Sequence, residues 1–281
     1  MQVFETKTAV REAVAPWRAA GERTVLVPTM GYLHAGHMAL VERARAEGDR
    51  VIASIFVNPT QFGPTEDLAT YPRDPQRDLT MLREAGVDGV FMPDVTEVYA
   101  PGAQTIVETT ELSKILIGKL RPGHFRGVAT VVTKLFNIVQ PDTACFGEKD
   151  YQQLCVIRQM VRDLDMPVRI VGVPTVREPD GLAMSSRNVR LTPEDRAAAV
   201  VLSQSLFEAE DMAKTGITAS RLRAWVAANI QANPRADLQS ADIRDAETLA
   251  TISGPLQRPA VILLAVRFGK VLLIDQRVVT P

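Results

Sequence analysis

The chain has three histidines, and two of them stand three residues apart in Pro28-Thr-Met-Gly-Tyr-Leu-His-Ala-Gly-His37. An imidazole donates hydrogen bonds near neutral pH and gains charge only slightly below it. A pair of them therefore suits phosphate oxygens and the charge that develops on them. The residues around His34 and His37 decide what the pair meets. Gly31 and Gly36 permit a tight turn and a close approach of backbone to ligand. Thr24-Val-Leu-Val27 ahead of them is apolar and β-rich, and Leu40 and Ala44 behind them recur at helical spacing until Gly48. The stretch reads as strand, glycine turn and helix, the helix running from about residue 37. Its start offers N–H groups and partial positive charge to an anion. The alternatives are two solvent-facing histidines at a turn, or a His-x-x-His metal pair that no neighbouring Cys or carboxylate completes.

Further polar groups follow other apolar runs. Asn58-Pro-Thr-Gln-Phe62 comes directly after Val51-Ile-Ala-Ser-Ile-Phe-Val57. Ligands bind at the C-terminal edge of open parallel sheets, which makes Gln61 and Asn58 candidate substrate amides. Asn-Pro is also ordinary turn chemistry, which accounts for Asn58 better than for Gln61. Arg121, His124 and Arg126 precede an apolar stripe of Val128, Val131, Val132, Leu135, Phe136 and Val139, a second basic helix start. Gly147-Glu-Lys-Asp150 follows Thr143-Ala-Cys-Phe146, with Gln153 on the first turn of the next helix. Lys149 can neutralise phosphate and Asp150 can accept from ribose hydroxyls; a charged turn with an N-cap Asp is the plainer alternative. Met184-Ser-Ser-Arg187 offers two hydroxyls and a guanidinium, a set suited to polyphosphate, although taken alone it is also an ordinary polar loop.

The elements that must position these groups alternate. A first helix is expected over residues 1–20 on Val10, Val14 and Trp17, and strands over 51–57, 87–91, 105–108, 143–146 and 168–173. A mobile polar loop or short helix is expected over 65–75, a helix over 75–85, and another carrying Leu154, Ile157, Val161 and Leu164. Strands spaced by helices imply βαβ units in a mainly parallel sheet. A domain boundary is placed at Pro174. Beyond it the pattern changes: a turn at Pro179-Asp-Gly181, a long helix from Pro193 on Ala199, Leu202, Leu206, Ala209 and Ala213, and a second from Thr218. Strands over 241–244, 260–267 and 270–274 complete it, the last two forming a hairpin through Gly269. The fold class is α/β over residues 1–174, with helices on both faces of the sheet, and a smaller α+β domain with antiparallel strands over 175–281.

Composition narrows the function. Lys+Arg 32 against Asp+Glu 33 leaves a net charge of −1, which argues against a general nucleic-acid binder. Two cysteines, Cys145 and Cys155, are too few for a metal quartet. Glu5, Lys7, Arg11 and Glu12 interrupt any signal-peptide core, and no apolar run reaches membrane-spanning length. The expectation is a protein of a reducing compartment with free thiols and no membrane partner.

Assembled, the motifs resemble a known family. Pro28-Thr-Met-Gly-Tyr-Leu-His-Ala-Gly-His37 resembles the His-x-Gly-His signature of the nucleotidyltransferase superfamily. Phe56-Val-Asn-Pro-Thr-Gln-Phe62, Gly123-His-Phe-Arg-Gly127, Phe146-Gly-Glu-Lys-Asp-Tyr-Gln-Gln-Leu154 and Met184-Ser-Ser-Arg-Asn188 are similar to the pantoate–β-alanine ligase family. The resemblance implies a Rossmann-like sheet with a smaller C-terminal lid. It implies two steps: ATP and pantoate give pantoyl adenylate and pyrophosphate, and β-alanine then gives pantothenate and AMP. It assigns catalysis to His34, His37, Lys149 and Arg187. It assigns ATP binding to Met30, Gly31, Tyr32, Leu33, His34, Ala35, Gly36 and His37, to Gly147, Glu148, Lys149 and Asp150, and to Val176, Met184, Ser185, Ser186 and Arg187. It gives Gln61 to pantoate and β-alanine and Gln153 to pantoate, with Asn58, Arg121 and His124 bordering the site. Mg²⁺ accompanies the triphosphate with no protein ligand assigned, and the implied state is a cytoplasmic homodimer.

Overall fold

The computed structural model describes residues 1–281 apart from Thr65 and Asp67. The expected loop or short helix over 65–75 lies, at those two positions, outside the described residues. The chain divides into two units: residues 1–147 with 156–174, and residues 148–155 with 175–281.

The first unit is built on runs that are apolar on both faces, as strands of a covered parallel sheet must be. Its strands are β1 (Gln2–Phe4), β2 (Thr24–Thr29), β3 (Arg50–Ile55), β4 (Gly89–Phe91), β5 (Thr143–Gly147) and β6 (Arg169–Val173). Its helices are α1 (Lys7–Ala19), α2 (Ala35–Glu47), α3 (Pro75–Glu84), α4 (Val95–Val98), α5 (Ile117–Leu120) and α6 (His124–Val139), with α7 (Tyr151–Asp163) divided between the units. The sheet is parallel throughout in the order β1-β4-β3-β2-β5-β6. Val25 and Val27 of β2 pack with Leu40, Val41 and Ala44 of α2 and Leu82 of α3 on one face. On the other, Phe146 of β5 meets Phe136 of α6 edge-on at 6.4 Å. Helices thus cover both faces. The strand order reverses between β2 and β5, and in such sheets the crevice beyond the strand ends at that point is the ligand site.

Several local expectations change. Residues 1–20 are not one helix, because Gln2–Phe4 pairs with β4 before α1 begins at Lys7, capped by Thr6. Residues 105–108 form no strand; the Val107 N–H donates to the Thr130 hydroxyl on α6 rather than to a ladder. Leu164 lies beyond the end of α7 and is 50% exposed, and Met160 takes the core position instead. Gly48 ends α2 with extended backbone (φ −163°), not as a left-handed cap. Its need for glycine is close approach: a Cβ would stand 2.8 Å from the Arg23 carbonyl oxygen and 2.6 Å from Val25 Cγ2.

The second unit holds β7 (Ala236–Asp245), β8 (Ala260–Phe268) and β9 (Val271–Val279), antiparallel in sequence order, with Gly269 at φ +55° turning the β8–β9 hairpin. Its helices are α8 (Pro193–Ala198), α9 (Val201–Ala213) and α10 (Ala219–Gln231). Leu202, Leu206, Leu222, Val226 and Ile230 pack with Ile262, Leu264 and Phe268 into its core. The single long helix expected from Pro193 is two helices. At the break the Ser203 and Ser205 hydroxyls donate back to the Val200 and Val201 carbonyls, a competition for helix carbonyls that favours bending. Residues 148–155 group with this unit, where the Tyr151 hydroxyl donates to the Ala246 carbonyl at 2.7 Å. The first unit therefore lacks this segment, which the sequence-based domain of 1–174 includes.

Candidate functional site

The turn after β2 is shaped by two consecutive residues with left-handed backbone, Gly31 (φ +81°) and Tyr32 (φ +52°). Successive amides in such a turn point together and form a small anion-binding concavity. Here the chain fills that concavity itself. Asp78, on α3 and 1% exposed, accepts the Tyr32 N–H at Oδ2 and the Leu33 N–H at Oδ1, both at 2.7 Å. The Gly31 N–H goes to the Thr29 hydroxyl at 3.2 Å, and that hydroxyl donates to the Ser54 carbonyl at 2.7 Å. A Cβ on Gly31 would stand 3.0 Å from Asp78 Oδ2.

Beyond the turn, His34 is the N-cap of α2, which begins at Ala35 rather than near residue 37. His34 Nδ1 accepts the Gly36 N–H at 3.1 Å, and His37 Nδ1 accepts the His34 N–H at 3.3 Å. The rings lie 4.1 Å apart between centroids. With both Nδ1 atoms accepting, each neutral ring carries its proton on Nε2, the donor form a phosphate oxygen requires. The amides of Gly31, Tyr32, Leu33 and Gly36 are thus taken by protein acceptors.

The loop after β3 is a 3-10 turn over Pro59–Gln61 capped by Asn58. Asn58 is 1% exposed and its amide is fully engaged. Nδ2 donates to Gln61 Oε1 and to the Gly127 carbonyl, each at 3.1 Å, while Oδ1 accepts from the Thr60 and Tyr99 hydroxyls, each at 2.9 Å. It holds the loop together. Burial pushes the Tyr99 hydroxyl above its usual range against the opposing effect of its Thr60 and Asn58 hydrogen bonds, so it remains protonated at neutral pH. Gln61 is buried and donates from Nε2 to Met30 Sδ at 3.1 Å, tying this loop to the histidine turn.

Arg121 and His124 meet the same loop. Arg121 pairs with Glu66 through both carboxylate oxygens at 2.8 and 2.5 Å, and its Nη1 stands 3.1 Å from His124 Nε2. His124 Nδ1 lies 2.9 Å from the Gln61 carbonyl oxygen. Arginine can only donate, so the ring carries its proton on Nδ1 and donates it to that carbonyl. Burial raises the Glu66 carboxyl, but the Arg121 hydrogen bond and charge outweigh it and leave it below the usual carboxylate range. The second basic helix start therefore braces the Gln61 loop. Gly127 lets α6 approach it, since a Cβ there would stand 2.6 Å from Gln61 N and Cα and closer still to the Thr60 carbonyl oxygen.

Glu148, Lys149, Asp150, Gln153, Val176, Met184, Ser185, Ser186 and Arg187 belong to the second unit, whereas Gly147 belongs to the first. Lys149 Nζ lies 3.7 Å from Asp150 Oδ2. The Met184 N–H donates to the Val176 carbonyl at 3.0 Å across a short hairpin bridged at Arg177 and Ala183. The Ser185 hydroxyl accepts the Arg187 N–H at 3.2 Å. Arg177 fixes this hairpin to β9 through both oxygens of Asp275, at 2.7 and 3.0 Å, and Asp275 is fully buried.

Asp78, Glu66, Tyr99, Arg177 and Asp275 did not emerge from the motifs. Asp78 carried one signal: it falls on the same face of α3 as buried Leu82, one turn away, an unexpected place for a carboxylate. Burial pushes the Cys145 thiol up to about 11, which makes it a packing group rather than a nucleophile. Among the described residues, no group of three or more His, Cys, Asp or Glu is placed to hold a metal ion, and no helix is long and apolar enough to cross a membrane.

The whole chain is similar to known proteins. The family model described as pantoate-beta-alanine ligase matches residues 2–278. A pantothenate synthetase from Agrobacterium fabrum is 52% identical over 280 residues, covering 99% of this chain and 96% of that protein. One from Bartonella henselae is 53% identical over 277 residues, covering 98% of each. The crystal structure of pantothenate synthetase from Thermus thermophilus matches with a TM-score of 0.95 at 48% identity over 100% of both chains. That of pantoate-beta-alanine ligase from Francisella tularensis, complexed with beta-gamma ATP and beta-alanine, matches with a TM-score of 0.81 at 35% identity, covering 99% of this chain and 97% of that one. Matched from end to end in both sequence and fold, the chain is an enzyme that belongs to the pantoate–β-alanine ligase family.

Proposed function

We propose that the enzyme condenses pantoate with β-alanine at the expense of ATP, through a pantoyl adenylate. A pantoate carboxylate oxygen attacks the α-phosphorus, the bond to the β-phosphate breaks, and pyrophosphate leaves. The uncharged amine of β-alanine then attacks the acyl carbon. The new C–N bond forms, AMP departs with the electron pair of the C–O bond, and the amine's surplus proton passes to solvent.

The observation that carries this reading is the imidazole pair beyond β2. Each ring holds its proton on Nε2 because a backbone N–H occupies its Nδ1. An anionic nucleophile approaching a polyanion needs donors fixed in advance, and two pre-oriented imidazoles supply them. We assign His34 and His37 to the phosphates, and Lys149 and Arg187 to the charge that collects on pyrophosphate as it leaves. Val176, Met184, Ser185 and Ser186 are assigned to the nucleotide. Gln61 and Gln153 are assigned to pantoate, whose hydroxyls need both donors and acceptors, which amides provide. Asn58, Arg121 and His124 act on the substrate side by holding Gln61 in place. Magnesium belongs to the substrate in this scheme, arriving on the triphosphate, which is its common mode of entry to nucleotide sites. The smaller unit acts as a lid protecting the water-labile adenylate. A cytoplasmic homodimer completes the proposal.

Isotope exchange tests the adenylate. With labelled pyrophosphate, ATP and pantoate but no β-alanine, label should enter ATP. Exchange that requires β-alanine would contradict a free-standing adenylate step.

A further inference from the structure

We infer that Asp78 is a positioning residue for adenylyl transfer: it fills the anion-binding concavity of the turn and so directs the phosphates to the imidazoles of His34 and His37. The inference rests on the proposed role of those histidines.

Gly31 and Tyr32 both have positive φ, and the amides of Tyr32 and Leu33 on this turn converge on one carboxylate. A phosphate could occupy that point, and in glycine-rich phosphate loops such amides are what a phosphate meets. Here the Asp78 carboxylate occupies it with one oxygen per amide, at 2.7 Å each. A carboxylate 1% exposed is stable only where hydrogen bonds replace its hydration, and two short amide bonds do so. The left-handed conformation of Tyr32 is strained for a non-glycine residue and persists only if something outside the turn holds it. Helix α3 holds it twice, because the Arg77 guanidinium also lies over the Tyr32 ring at 5.6 Å.

The consequence lies downstream. The turn sets where α2 starts, and the cap made by His34 and His37 follows directly from that start. With the turn amides taken, the imidazole Nε2 protons become the donors that face an incoming triphosphate. Asp78 thus acts through the histidines and touches no substrate itself.

Asp78→Asn keeps the size of the side chain but places an NH₂ against one of two N–H donors. The rate of pantoate-dependent pyrophosphate release at saturating ATP should fall about 100-fold, the scale of a roughly 1 Å misplacement, with the pantoate KM nearly unchanged. In a His37→Ala background the same substitution should add little further loss, because the two residues act as a unit. Gly31→Ala, whose Cβ would press on Asp78 Oδ2, should show the same kcat-selective defect and serves as the second variant if Asp78→Asn does not fold. A lowered melting temperature with normal kcat, or a loss that multiplies fully onto that of His37→Ala, would overturn the inference. Normal activity in His37→Ala alone would instead overturn the site reading on which it rests.

Discussion

His34 and His37 do two jobs with their two ring nitrogens. Nδ1 accepts backbone N–H groups at the start of α2, which leaves the proton of a neutral ring on Nε2, and in the proposed mechanism that proton is offered to phosphate. Replacing His37 with Ala removes one donor and one cap. By comparison with losing a single oxyanion donor, pyrophosphate release should slow roughly 10²–10³-fold, while thermal stability drops by only about 1 kcal/mol, the usual scale of a lost cap. Stopped-time assays beside a melting curve check both; near-normal turnover would remove the assigned role. Glu66 gives a residue-scale test in pH. Its carboxyl lies below the usual range in the folded protein, so its contribution is complete above the unfolded glutamate value and is lost as pH falls through the lowered folded value. Acid unfolding of Glu66→Gln should lack that component, and curves parallel to the parent enzyme would contradict it. The histidine pair stood out in the sequence because its spacing and its turn are local. Asp78 did not, because its partners at Tyr32 and Leu33 lie far away in the chain and only the folded sheet brings α3 against the turn.

Elements rather than single residues place the glutamine loop. The start of α6 rests on it so closely that only glycine fits at 127, and Arg121 and His124 of the same segment grip the Gln61 carbonyl oxygen. Gly127→Ala should destabilise by about 1–3 kcal/mol through overpacking, and should raise the pantoate KM more than the ATP KM. Denaturant titration and steady-state kinetics measure the two effects, and unchanged pantoate kinetics in a destabilised variant would separate the loop from the substrate. The apolar stripe of α6 identified the helix from sequence. The meaning of the basic residues before it was not legible, because Arg121 is neutralised by Glu66, which approaches only through the path of the loop. Residues 105–108 show the reverse error. Their β-like composition holds, but their backbone partner is a side chain on α6.

At the scale of the whole chain, the first unit is built on a six-stranded parallel sheet and the second holds a three-stranded antiparallel one. The alternation of strand and helix, and the change of pattern after Pro174, were visible in the apolar periodicity. The grouping of residues 148–155 with the second unit was not, because helical periodicity runs unbroken through α7. In that unit the Arg177–Asp275 pair anchors the hairpin bearing Val176 and Met184. Arg177→Ala would leave the fully buried Asp275 carboxylate without its partner, at a cost of about 3–5 kcal/mol. A melting temperature within a degree or so of the parent's would show the pair to be dispensable.

The central claim concerns which bond of ATP is cut and for whom. One incubation of the enzyme with ATP, pantoate and β-alanine, resolved for AMP and ADP with each co-substrate omitted in turn, tests it most directly. Sustained turnover should yield AMP, pyrophosphate and pantothenate in equal amounts only when both co-substrates are present. ADP and inorganic phosphate as products, or AMP formed at the full rate without pantoate, would contradict it.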